Sequence, residues 1–177
     1  MEQISMLDEK FIVVDIETTG LDPFDGCEII EIGATEILNG EIVRNHNRLI
    51  KPEKEIPEFI TGLTNISNEM VENEPTINEV LPKFRKYIGD TTLIAHNAKF
   101  DIKFLNYYLK KLGLKEITNY MCTLEMLKRV SSYKGKNKKL ATACEYYGIE
   151  NKNAHRASSD TFATAQLFLK IRDRVDL

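Results

Sequence analysis

The hydrophobic and polar positions of this chain change their period partway along it. Phe11 to Ile16 is a run of apolar, mostly β-branched residues, the pattern of a buried strand, and it stops at the turn-forming TTGLDP. CEIIEIGATEIL and EIVRNHNRLI follow, divided at Asn39-Gly40, a pair suited to the left-handed positions of a two-residue hairpin. Three strands therefore come first, and their closeness in sequence predicts antiparallel neighbours. Beyond them NEMVENEPTINEVLPKFRKYIG is helical in period, TTLIAH is a short apolar strand, and KFDIKFLNYYLKKLG is a helix closed by Gly113. CTLEMLKRV, KKLATACEYYGI and SSDTFATAQLFLKIRDRV predict three further helices. Strands first, then strands alternating with helices, imply an α/β fold with a mixed central sheet. No repeat or low-complexity linker interrupts the pattern, and 177 residues suit one domain spanning 1–177.

Composition adds little until it is resolved along the chain. With 42% hydrophobic and 29% charged residues it is that of a soluble globular protein. MEQISMLDEK has neither the basic start nor the apolar stretch of a signal peptide, and no run reaches membrane-spanning length, so a cytoplasmic protein with no membrane partner is expected. Cys27, Cys122 and Cys144 are odd in number and widely spaced, without a C-x-x-C, which predicts reduced structural thiols. The net charge of −3 argues against a nucleic-acid partner, but residues 128–139, KRVSSYKGKNKK, hold six of the 24 basic residues and none of the 27 acids. The run carries +6 and leaves the rest of the chain at −9. It reads equally as a solvated loop or as a cationic surface, and it precedes the segment that holds His155.

The chemistry begins where the first strand ends. Alternation places Phe11, Val13, Asp15 and Glu17 on one face, so two like charges enter one space beside an apolar surface. Burial and mutual repulsion penalise both unless a proton or a cation is present, and a hard divalent metal relieves both costs. A D-x-E pair alone reads better as the end of a strand with both acids in water. Two other acids break apolar stripes in the same way: Asp101 leads a helical face with Leu105 and Tyr108, and Asp160 leads one with Ala163, Leu167 and Ile171. A helix dipole explains an acid in the first turn but not one on the inner face. Of three histidines, His46 lies in the polar RNHNR and reads as exposed. His155, five residues before Asp160, falls in the loop ahead of that helix, where an imidazole can take a proton from an attacking water near neutral pH.

Taken together, DIETTG, HNAKFD and HRASSD resemble the three ordered motifs of the DEDDh 3′-to-5′ exonucleases. The likeness runs from about Phe11 to Ile171 and is greatest to the epsilon subunit of bacterial DNA polymerase III and to the exonuclease domains of Gram-positive replicative polymerases. It implies a ribonuclease H-like fold with a mixed five-stranded sheet flanked by helices. It implies that Asp15, Glu17, Asp101 and Asp160 bind two Mg²⁺ or Mn²⁺ ions and that His155 is the general base. Asp15 would bridge the ions, with Glu17 and Asp160 on the first and Asp101 assisting the second. The implied reaction releases nucleoside 5′-monophosphates from the 3′ ends of single-stranded or frayed DNA, in proofreading or repair.

Further positions follow from the same resemblance. Thr18, Gly20 and Leu21 would meet the terminal nucleotide, Gly20 by adopting φ > 0 and Leu21 by wedging against the last base. Leu63, Thr64, His96 and Phe100 would line its pocket, although Leu63 and Phe100 also suit plain core packing. Where relatives read L-T-G-I-T this chain reads LTNIS, and Asn65 is a residue that tolerates a left-handed backbone. Some relatives tether to a polymerase through a long tail; this chain ends soon after its last helix, which leaves a polymerase association open. The rival readings are an RNA-directed exonuclease of the same family, an aspartyl-phosphate phosphatase, disfavoured by glutamate at position 17, and an inactive nucleic-acid-binding module, disfavoured by the presence of all five residues. No P-loop or dinucleotide glycine motif supports a nucleotide-dependent enzyme.

Overall fold

The computed structural model describes residues 8–176. Most of the opening segment read for a signal peptide, residues 1–7, lies outside the described residues. The three predicted strands form as β1 (Lys10–Thr18), β2 (Ile29–Leu38) and β3 (Glu41–Leu49), joined in antiparallel order. Asn39 (φ 50°) and Gly40 (φ 81°) make the hairpin turn, both in the left-handed region that a right-twisted hairpin requires. β4 (Thr92–Ala95) and β5 (Tyr120–Cys122) add on the other side of β1, each parallel to its neighbour, so the sheet order is β3-β2-β1-β4-β5. This is the mixed five-stranded sheet expected.

Helices cover both faces. α1 (Glu58–Thr64), α2 (Asn68–Val71), α3 (Ile77–Ile88) and α4 (Ala98–Lys111) precede α5 (Thr123–Leu127), α6 (Leu140–Tyr147) and α7 (Ala157–Ile171). Along β1 the residues alternate between two cores. Ile12, Val14 and Ile16 pack with Leu81, Phe84, Phe104 and Leu105 of α3 and α4. Val13, with Ile37 and Ile94, packs with Ala165 and Phe168 of α7. The long segment read as helical from Asn68 divides into α2 and α3 because Pro75 and Thr76 restart it: the Thr76 N–H donates to Glu79 Oε2 at 2.8 Å in a capping box. Among the described residues no helix is long and apolar enough to cross a membrane.

Where α7 meets the sheet, β2 presents Glu31, Gly33, Thr35 and Ile37 on one face. A Cβ at Gly33 would lie 2.5 Å from the backbone of Ala157, so only glycine admits the start of α7 this close. Thr35 Oγ1 donates to Thr161 Oγ1 at 2.9 Å one turn later. The approach of α7 at its first turn sets the depth of Asp160.

Candidate active site

β1 continues past both of its acids, and its α7-facing row carries Asp15 and Glu17 to the carboxyl edge of the sheet. Its pairing with β2 shifts between Glu17 and Thr18, a bulge of the kind that re-aims a side chain at a strand end. α7 supplies Asp160 from above the same face. One carboxylate oxygen from each of Asp15, Glu17 and Asp160 lies within 4.8 Å of the others. Asp101 arrives from the opposite face: α4 starts just beyond β4, and Asp101, 2% exposed, accepts the Ile16 N–H at 3.0 Å on Oδ1. It stands outside the group of three but is the strongest of the anionic neighbours that act on Asp15.

The electrostatics are those of buried, mutually repelling carboxylates. Burial pushes Asp15 well above the usual carboxylate range, and Asp101, Glu17 and Asp160 add to it. Burial, then Asp160 and Glu31, push Glu17 up to about 8, with Arg156 opposing. Burial likewise holds Asp101 at about 8, despite its bond to the Ile16 amide. Asp15 Oδ2 is buried with no hydrogen-bond partner. Such an orphaned anionic oxygen is costly unless something else binds it, and an all-oxygen donor set suits a hard divalent cation. The residues fit the group that the family motifs imply.

Asp160 is held at both oxygens. Asn151 Nδ2 donates to Oδ1 at 2.7 Å and the His155 N–H to Oδ2 at 3.1 Å, which offsets part of the upward push of burial. His155 sits in the loop before α7, exposed and left-handed at φ 67°. A non-glycine residue there is uncommon, and histidine is among those that tolerate it.

Sequence reasoning missed Asn151, and it missed Glu31. Glu31 is fully buried yet accepts the Ala157 N–H at 2.6 Å, Arg156 Nη2 at 2.7 Å and Asn47 Nδ2 at 2.7 Å. α7 has no cap from its own N-terminal side chain, and Glu31 caps it from the neighbouring strand. The available signal was the acid in the apolar alternation of EIIEIG.

The residues expected around the terminal nucleotide separate. Leu21 is 81% exposed and Leu63 53% exposed, both free to meet a ligand. Phe100 is half-buried against Phe104, ring centroids 5.1 Å apart. Thr18 and Thr64 are buried, their hydroxyls spent on the Gly20 and Ile60 carbonyls. Asn65 takes the left-handed conformation (φ 59°) that closes α1. Gly20 requires a correction: it is not among the residues with positive φ, and a Cβ there would lie 2.3 Å from Cys27 Sγ, so a larger residue would have to displace that side chain. His96 is clamped on both sides, Nε2 donating to the Lys138 carbonyl at 2.8 Å and Nδ1 lying 2.8 Å from Thr123 Oγ1. All three cysteines are free thiols, and burial and Asp160 push buried Cys144 up to about 11, so it is no nucleophile.

A family model described as an exonuclease, RNase_T, matches residues 12–168. The chain belongs to this exonuclease family. A DNA polymerase III PolC-type protein of Caldanaerobacter subterraneus subsp. tengcongensis is 41% identical over 175 residues, 98% of this chain and 12% of that protein. The DNA polymerase III subunit epsilon of Aquifex aeolicus is 37% identical over 173 residues, 97% of this chain and 84% of that one. The chain thus spans about 12% of the length of the PolC-type relatives and most of the epsilon subunit. Among solved structures, Exonuclease X in complex with 5′ overhanging duplex DNA superposes with a TM-score of 0.73 at 25% identity, over 92% of this chain and 91% of that one. The exonuclease family fold is thereby the ribonuclease H-like fold that the three motifs implied.

Proposed function

We propose that this chain is a 3′-to-5′ exonuclease that removes nucleoside 5′-monophosphates from single-stranded or frayed DNA ends, using two Mg²⁺ or Mn²⁺ ions. The observation that carries the reading is the partnerless buried oxygen of Asp15 among three further carboxylates. Asp15, Glu17 and Asp160 would hold one ion, and Asp15 and Asp101 the second. Bound there, the ions supply charge stabilisation for the attacking and leaving oxygens of an in-line displacement at phosphorus. The chain itself does the rest. β1 and α7 present the acids already converged, so little reorganisation precedes reaction. His155, exposed beside Asp160, takes the proton of the attacking water, and Leu21 and Leu63 offer apolar surface to the terminal base.

DNA is the proposed substrate because the relatives in sequence are DNA polymerase III proteins and the matched Exonuclease X structure holds duplex DNA with an overhang. The same relatives support a polymerase as partner and a role in proofreading or repair. Free thiols at all three cysteines suit a reducing compartment such as the cytoplasm. The test is a time course with matched 5′-labelled single-stranded DNA and RNA in Mg²⁺. A ladder shortening from the 3′ end, faster on DNA and abolished by chelator, is expected. Internal cuts at early times, or full activity in excess chelator, would refute the nuclease reading; faster RNA shortening would move the substrate to RNA.

A further inference from the structure

The basic segment 128–139 is a loop between α5 and α6 whose cations divide into two sets. Lys128 pairs with Glu125 at 2.8 Å, and Arg129 donates to the Asp176 carbonyl at 3.0 Å. Lys134, Lys136, Lys138 and Lys139 make no ion pair among the described residues. Their backbone is nevertheless held. The Tyr133 hydroxyl donates to the Asn137 carbonyl at 2.5 Å, the Lys139 N–H donates to Asn137 Oδ1 at 3.0 Å, and the Lys138 carbonyl accepts from His96 at 2.8 Å.

The last of these bonds locates the loop. His96 directly follows β4, and β4 runs parallel to β1, so both strands end at the same edge of the sheet. That edge carries Asp15 and Glu17, and Asp101 lies five residues beyond His96. The His96 tether therefore fixes Lys138 at the rim of the acidic site, on its β4–β5 side, with Lys139 next to it and Lys136 and Lys134 two and four residues earlier in the same loop. Two of them, Lys138 and Lys139, stand immediately ahead of α6, whose amino end favours anions and disfavours lysine. Fold stability alone gives no reason for that placement. A polyanion does, since it must be drawn to a centre where Asp15, Glu17, Asp101 and Asp160 converge.

We propose that Lys134, Lys136, Lys138 and Lys139 form a phosphate track that holds the backbone of the single strand upstream of the nucleotide being removed. The track rests on the exonuclease reading, and it assigns the strand's direction of approach and the residues that set affinity. Each phosphate neutralised by a lysine releases counterions, so log affinity should fall with log salt by about 0.7 per neutralised phosphate on a single strand.

Binding of a fluorescent single-stranded oligonucleotide across a salt series, in Ca²⁺ to suppress cleavage, provides the test. Replacing the four lysines by Gln should weaken binding and flatten the slope by about 0.7 for each phosphate no longer neutralised, approaching 3 if all four lysines touch phosphate. A control variant with Lys86, Lys110, Lys111 and Lys115 changed to Gln removes the same charge from the opposite end of β4, at the last turns of α3 and α4 and beyond. It should keep the wild-type slope. Identical slopes for wild type and loop variant, an equal flattening in the control, or no binding by the wild type would each overturn the track. Because this readout needs no turnover, it fails separately from the nuclease reading: a wild type that shortens DNA from the 3′ end while the loop variant keeps its slope loses only the track.

Discussion

His155 and His96 show how little residue type decides by itself. Both lie in connections at the acidic edge of the sheet, yet His96 has both ring nitrogens engaged, and burial pushes it below the usual histidine range. It holds a loop. His155 is exposed, with its backbone rather than its ring bonded to Asp160. His155→Ala should therefore lower the single-turnover rate by roughly 10² to 10⁴, the usual cost of a lost general base, while the Mg²⁺ concentration for half-maximal activity stays unchanged. Because the position is left-handed, His155→Asn provides a second variant that keeps the backbone and the amide bond to Asp160 but accepts no proton at neutral pH. Wild-type rates in both variants would remove His155 from the mechanism.

At the scale of elements, the site depends on where α7 begins. Glu31 caps it, Gly33 admits it and Asn151 clamps Asp160. Glu31→Gln keeps the shape but leaves Arg156 without its anion and weakens the bond from Ala157, with an expected stability loss of roughly 2–4 kcal/mol. Supporting residues of this kind usually matter about 10- to 100-fold to metal affinity or activity, so the Mg²⁺ requirement should rise by that order in protein that is still folded at the assay temperature. Unchanged Mg²⁺ dependence alongside a lowered melting temperature would leave Glu31 a purely structural cap. Much of this level was legible in advance. The alternation along β1 put Asp15 and Glu17 on one face, Asn39-Gly40 gave the hairpin, and the stripes led by Asp101 and Asp160 did turn inward. What escaped is short or non-local. β5 has three residues and no alternation to detect, α1 is seven residues with a glycine inside, and the partners of Glu31 lie at positions 47, 156 and 157. The reason for Gly20 was likewise a tertiary neighbour, Cys27, rather than its backbone angle.

For the whole molecule, gathering four carboxylates at one edge of the sheet ties the stability of the metal-free protein to pH in an unusual direction. Glu17 and Asp101 are pushed up to about 8, and Asp15 is raised well above its ordinary value. In the unfolded chain these acids titrate near 4. Between those limits the folded protein retains protons that the unfolded chain has released. Stability from these groups is therefore fully present below about pH 4 and is lost as pH rises towards 8. A bound divalent cation reverses the balance, because it stabilises the ionised acids, and its contribution grows over the same window. In EDTA the melting temperature should thus fall between about pH 5.5 and about pH 8.5, and added Mg²⁺ should raise it more at the higher value. Asp15→Asn removes one of the repelling charges and fills the position with a neutral isostere. It should melt higher than wild type in EDTA at about pH 8.5, lose most of the Mg²⁺-dependent gain, and abolish turnover. A melting temperature in EDTA that climbs towards pH 8.5, or an equal Mg²⁺ effect at both values, would mean that the acids are already compensated without metal, and the electrostatic case for a two-ion site would fall with them.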